Sequence, residues 1–85
     1  MPNMEEMILS AARELEIKGE VTVRFKDGTA DPFVTITYPP RNGFTIRVDA
    51  RFMMEESLAQ LKIILGDVDR EAKEQKAPAT SSTPL

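Results

Sequence analysis

Cysteine and histidine are both missing from the sequence. Without cysteine there are no disulfides, thiol nucleophiles, iron–sulfur clusters or thiolate zinc sites. Without imidazole there is no Ser–His or Cys–His couple, no usual zinc ligand, and no side chain whose unperturbed pKa lies near neutrality. Ser10 and Ser57 therefore have no histidine to activate them, and the chain is not expected to be an enzyme. Glycine is sparse. Gly19, Gly28, Gly43 and Gly66 stand apart from one another, so no glycine-rich loop offers successive amides to a phosphate, and no cofactor is expected. Long apolar runs are also lacking, since nothing approaches the ~20 residues needed to cross a bilayer. The segment Met1-Pro2-Asn3-Met4-Glu5-Glu6 is acidic where a targeting signal would be basic, so the expected location is cytoplasmic.

What is present is ordinary globular material, 41% hydrophobic and 29% charged in 85 residues. That length accommodates one buried core, so one domain is expected over residues 1–75. The remainder, 76–85, holds two prolines, small polar residues and almost nothing to bury, and reads as a disordered tail. The net charge of −3 is unevenly spread. Residues 1–19 carry four acids against two bases, residues 20–51 four against five, and residues 52–85 six against four, so the middle alone is not acidic.

Asn3 followed by Glu6 has the form of a capping box, and Met4, Met7, Ile8, Ala11 and Leu15 share one helical face. A helix over about 4–18 follows, with Gly19 as its left-handed terminator. Val21, Val23 and Phe25 then alternate with Thr22, Arg24 and Lys26 in the period of a strand. After Asp27-Gly28 a second strand, Phe33 to Tyr38, sets Val34, Ile36 and Tyr38 inward against Phe33, Thr35 and Thr37. The Asn42-Gly43 pair suits a tight turn into a third strand from Phe44 to about Arg51, with Phe44, Ile46, Val48 and Ala50 inward. From Met53 the period becomes helical through Met54, Leu58, Leu61, Leu65 and Val68, to about residue 75, with Gly66 a point for bending or fraying. The predicted fold is α+β, a two-layer α-β-β-β-α arrangement with a three-stranded antiparallel meander packed on two helices.

Three acidic groupings resemble sites and fail as such. Asp67, Asp69 and Glu71 have the spacing that opens an EF-hand loop, but its sixth position is Ala72 instead of glycine and its twelfth is Pro78 instead of glutamate. Glu5-Glu6 and Glu55-Glu56 fall in the first turns of predicted helices, where the helix dipole favours negative charge. No metal site is expected.

Two surfaces remain as candidates. Phe52, Ala59 and Ile63 lie nearly opposite the main stripe of the second helix, and Met53 and Ile64 widen that stripe. Apolar residues on more than one flank point to a protein interface, and a small core without disulfide or metal gains stability from association. The leading expectation is a small non-enzymatic interaction module, a regulator, inhibitor or accessory subunit of a larger assembly, homodimeric or bound to a larger protein. The alternative is nucleic-acid binding through the outward face of the sheet, where Arg24, Lys26, Phe33, Arg47 and Arg51 would gather. Thr and Arg are equally ordinary on a solvated strand face, and a single aromatic is few for a stacking platform.

Overall fold

The computed structural model describes residues 3–75; the tail expected over 76–85 lies outside the described residues. Helix α1 (Met4–Glu14) starts where Asn3 Oδ1 accepts the Glu6 backbone N–H at 2.8 Å. Strands β1 (Glu20–Phe25), β2 (Pro32–Thr37) and β3 (Phe44–Arg47) form an antiparallel meander in the order β1-β2-β3, and helix α2 (Leu58–Glu74) closes the chain. The α-β-β-β-α order and the sheet topology are those predicted.

The core lies between the inner face of the sheet and the two helices. Ile8 and Ala11 of α1 meet Val34, Val48, Leu61 and Leu65, and a second cluster joins Ile36 to Val68 and Ala72. Each large aliphatic side chain buried here contributes about 1.5–3 kcal/mol relative to exposure. Register sets the partition of the two faces. Val34 stands between Val23 and Ile46, and Ile36 between Val21 and Phe44, all on the inner face. The outer face receives the intervening rows.

Four boundaries depart from the sequence pattern, each for a local reason. Helix α1 stops at Glu14 instead of near residue 18, because Glu16 turns left-handed at φ 58°. The Glu16 N–H bonds to Arg13 O at 3.0 Å and the Ile17 N–H to Ala12 O at 3.1 Å, the paired bonds of a Schellman ending, and Ile17 folds back onto the core. Gly19 is needed for closeness, not for handedness. A Cβ there would come within 2.9 Å of Thr37 O and of the Tyr38 ring.

The β2–β3 turn is likewise not closed at Asn42-Gly43. It forms around the cis Pro39–Pro40 bond, with the Arg41 N–H on Tyr38 O at 2.9 Å. Gly43 instead lies against Thr35 and Thr37, where any side chain would collide with theirs. The third departure is β3, which ends at Arg47 instead of Arg51. Val48 N–H makes one more bond, to Pro32 O at 2.9 Å, and Asp31 then accepts the Ala50 N–H at 2.9 Å, drawing the chain out of the ladder. Finally, two short 3₁₀ turns, Ala50–Met53 and Glu55–Ser57, precede α2, so the α-helix begins at Leu58 instead of Met53. Asp49 caps the first turn through the Arg51 N–H, and extended backbone at Met54 (φ −80°, ψ 150°) separates the two. Met54, expected on the buried stripe, is consequently 53% exposed. Gly66 does not end α2, which continues to Glu74.

Among the described residues, no helix is long and apolar enough to cross a membrane, and no group of three His, Cys, Asp or Glu residues is arranged to hold a metal ion.

Candidate functional site

Both helices pack on the same side of the sheet, leaving its other face open. On that face β1 presents Thr22 and Arg24, β2 presents Phe33, Thr35 and Thr37, and β3 presents Thr45 and Arg47. Register turns this list into rows. Arg24 stands opposite Phe33, which stands opposite Arg47, so an aromatic is flanked across both ladders by guanidinium groups. The next row is Thr22, Thr35 and Thr45, in which the hydroxyls of Thr35 and Thr45 share a hydrogen bond of 2.7 Å.

At the turn end of β1 and β2 the open face runs into a shallow hollow of about 320 Å³ lined by Arg24, Phe25, Lys26 and Phe33. Phe25 is the residue that sequence reasoning missed here. Its alternation assigns it to the inner face with Val21 and Val23, yet it is 46% exposed, since the helices do not cover this last position of the strand. The available signal was its place immediately before Lys26-Asp27-Gly28, where a strand runs out of core to face. Two aromatics and two cations are thus adjacent where the sequence suggested one aromatic.

The basic residues of this region differ in freedom. Arg47 Nε lies 4.0 Å from Asp31 Oδ2. Arg51 leaves the sheet altogether. Its Nε and Nη2 donate to the Asp49 carboxylate at 3.2 and 3.0 Å, and those bonds hold the Asp49 carboxyl below its usual range and the Arg51 guanidinium above its own. Arg24 and Lys26 make no ion pair among the described residues, so their charge remains available to a ligand.

The residues proposed on the second helix are not gathered into one patch. Phe52 lies in the 3₁₀ turn before α2 and packs against the main core, and Ile64 packs against both core clusters. Met53 ends that same 3₁₀ turn. Ala59 and Ile63 do face outward together on α2, with Ile63 65% exposed.

One polar cluster lies at the opposite end of the sheet. The Tyr38 hydroxyl donates to Asp69 Oδ1, and Lys73 Nζ sits 3.2 Å from Asp69 Oδ2 and 5.9 Å from the Tyr38 ring centre. Burial, reinforced by the hydrogen bond and charge of Asp69, raises the Tyr38 pKa, and the same carboxylate raises that of Lys73. All three groups satisfy one another, so the cluster ties the end of β2 to α2 and leaves no group free for chemistry. The other two acids of the rejected calcium spacing both pair with Arg70, Asp67 at 3.2 Å and Glu71 at 3.8 Å.

Comparison with known proteins finds no matching family model, no matching curated protein and no matching solved structure.

Proposed function

We propose that this chain is a non-enzymatic, cytoplasmic protein–protein interaction module, a small regulator or accessory subunit, that docks its partner along β1 and the adjoining end of the open sheet face. The observation that carries this is the hollow lined by Phe25 and Phe33 with Arg24 and Lys26. Aromatic and arginine side chains are the types that dominate interface energetics, and partly exposed aromatics beside cations that make no ion pair among the described residues suit a partner offering an apolar anchor next to carboxylates. Helix α2 is the weaker surface, because Phe52 and Ile64 are engaged with the core. Affinity capture from the native lysate tests the assignment. Phe25→Ser with Arg24→Glu should lose the enriched protein and Ile63→Glu should keep it; the reverse pattern would return the interface to α2.

The row Arg24–Phe33–Arg47 favours a second function, binding of single-stranded nucleic acid by stacking on Phe33 with phosphates held by the flanking cations. Against it stand the net charge of −3 and the acidic partners of Arg47 and Arg51. It predicts affinity that falls steeply with salt and weakens in Arg24→Ala and Arg47→Ala. No binding of DNA or RNA at low salt would remove it.

A further inference from the structure

Strand β1 is an edge of the sheet. It pairs with β2 through all six of its residues, and among the described residues nothing pairs with its other side. An unpaired strand edge is a template for another strand, and natural proteins usually block it with mid-strand charge, proline or a bulge. Neither proline nor bulge interrupts β1, and its two charges flank an uncharged centre, Val21-Thr22-Val23, with the acid Glu20 before it and the base Arg24 after it.

That distribution of charge is self-complementary. A parallel copy of β1 would set Glu20 against Glu20 and Arg24 against Arg24. An antiparallel copy reverses the order and sets acid against base. The alternation of faces restricts the register further, since residues directly opposite in an antiparallel pair must point to the same side of the sheet. With Thr22 on the two-fold axis this condition holds at every position. Glu20 faces the second copy's Arg24 on the outer side, twice per dimer. Thr22 faces Thr22. Val21 faces Val23 on the inner side, where both are only half-buried in the single chain. Opposite charges, paired threonines and paired β-branched residues are each favourable cross-strand neighbours. The other edge offers no such match, because β3 has four residues and its outward side carries only Thr45 and Arg47.

We infer that β1 joins the β1 of a second copy of this chain, antiparallel about a two-fold axis through Thr22, to make one continuous six-stranded sheet. The inference rests on the β1 side being the docking surface proposed above, and it names the occupant.

Light scattering of the full chain during size exclusion, at concentrations rising through the micromolar range, should give a dimer. Glu20→Lys replaces two opposite-charge pairs by two like-charge pairs and should weaken the dimer roughly ten-fold or more. Adding Arg24→Glu to it restores complementarity and should restore the dimer. Both side chains are exposed, so the monomer fold is retained. An independent readout uses Thr22→Cys in a chain with no other cysteine. Opposite Cα atoms about 4.5–5.5 Å apart lie within disulfide reach, so mild oxidation should link two chains at that position. A wild-type monomer throughout, or a dimer that ignores Glu20→Lys and does not cross-link through Thr22→Cys, overturns the inference. If the monomeric wild type still captures a foreign protein and Phe25→Ser abolishes the capture, the docking surface stands and only the second copy is wrong. If the wild type is monomeric and its capture is indifferent to Phe25→Ser and Arg24→Glu, both fall.

Discussion

Strands β1 and β2 have the same length and each turns alternate residues to the inner face, yet they are buried very differently. Val34 and Ile36 of β2 are 0% exposed, whereas Val21 and Val23 of β1 are half-covered and Phe25 is open. The pattern in the sequence decides which way a side chain points. Position in the sheet decides what it meets. β2 has a neighbour on both sides and helices across its inner face; among the described residues β1 has a neighbour on one side only.

The largest effect should come from removing a central side chain. Ile36→Ala empties a site lined by Val68 and Ala72 and should cost about 2–5 kcal/mol in denaturant unfolding. A cost below that of an exposed substitution would mean that the centre of the sheet is not its best-packed part. The like-for-like pair is sharper. Val34→Ala deletes two fully buried methyl groups, worth about 1.5 kcal/mol in transfer alone before any cavity is counted, and Val23→Ala should cost roughly half as much. That difference should narrow as protein concentration rises, because association through β1 would bury Val23 and add its contribution to the dimer alone. Equal costs at every concentration would break the contrast between edge and centre.

Those predictions rest on what was legible in the sequence. Element order, strand pairing and the inner and outer sets all follow from local periodicity, and register then brought Arg24, Phe33 and Arg47 into one row as the outward alternation implied. What could not be read depends on distant or unsignalled contacts. The end of β3 is fixed by Asp31, a residue 19 positions from the amide it caps. Gly43 is required by the Thr35 and Thr37 side chains of another strand. Phe52 satisfies a helical spacing but sits in a 3₁₀ turn directed at the core, so its apparent place opposite the α2 stripe dissolves. Phe25 is open because cover ends before the strand does, and alternation carries no information about cover.

The two ends of the sheet differ in the same way. Beyond β2, Tyr38 is held by Asp69 and Lys73, while at the other end Phe25 is tied to nothing comparable among the described residues. Tyr38→Phe should cost about 1 kcal/mol, the usual net value of one hydrogen bond. It should also change the alkaline response. Burial and Asp69 raise the folded-state pKa of Tyr38 above its ordinary 10.0. The contribution of the protonated hydroxyl is therefore fully present below that value and is lost as pH rises through the raised one. Tyr38 is the chain's one tyrosine, so tyrosinate absorbance reports it alone, and its midpoint should lie above 10.0 in the folded protein. A midpoint at the ordinary value would show that this end is as open as the other.

The smallest effects should be gains, at helix positions where backbone conformation and local fit disagree. In α2, a Cβ at Gly66 would have nothing within 4 Å, so Gly66→Ala should stabilise by up to about 1 kcal/mol through helix propensity alone. The end of α1 presents the converse case. Glu16 occupies the left-handed region that costs a residue with a Cβ about 1–2 kcal/mol, and its side chain is exposed with no hydrogen bond or ion pair among the described residues. Glycine removes that cost but adds flexibility to the unfolded chain, which returns about 0.5–1 kcal/mol. Glu16→Gly should therefore raise stability by only about 0.5–1 kcal/mol, read as a higher denaturation midpoint at unchanged slope. A loss would mean that the chain needs the glutamate side chain itself, and that the helix is ended by an interaction other than the Arg13 and Ala12 carbonyls that now receive the Glu16 and Ile17 amides.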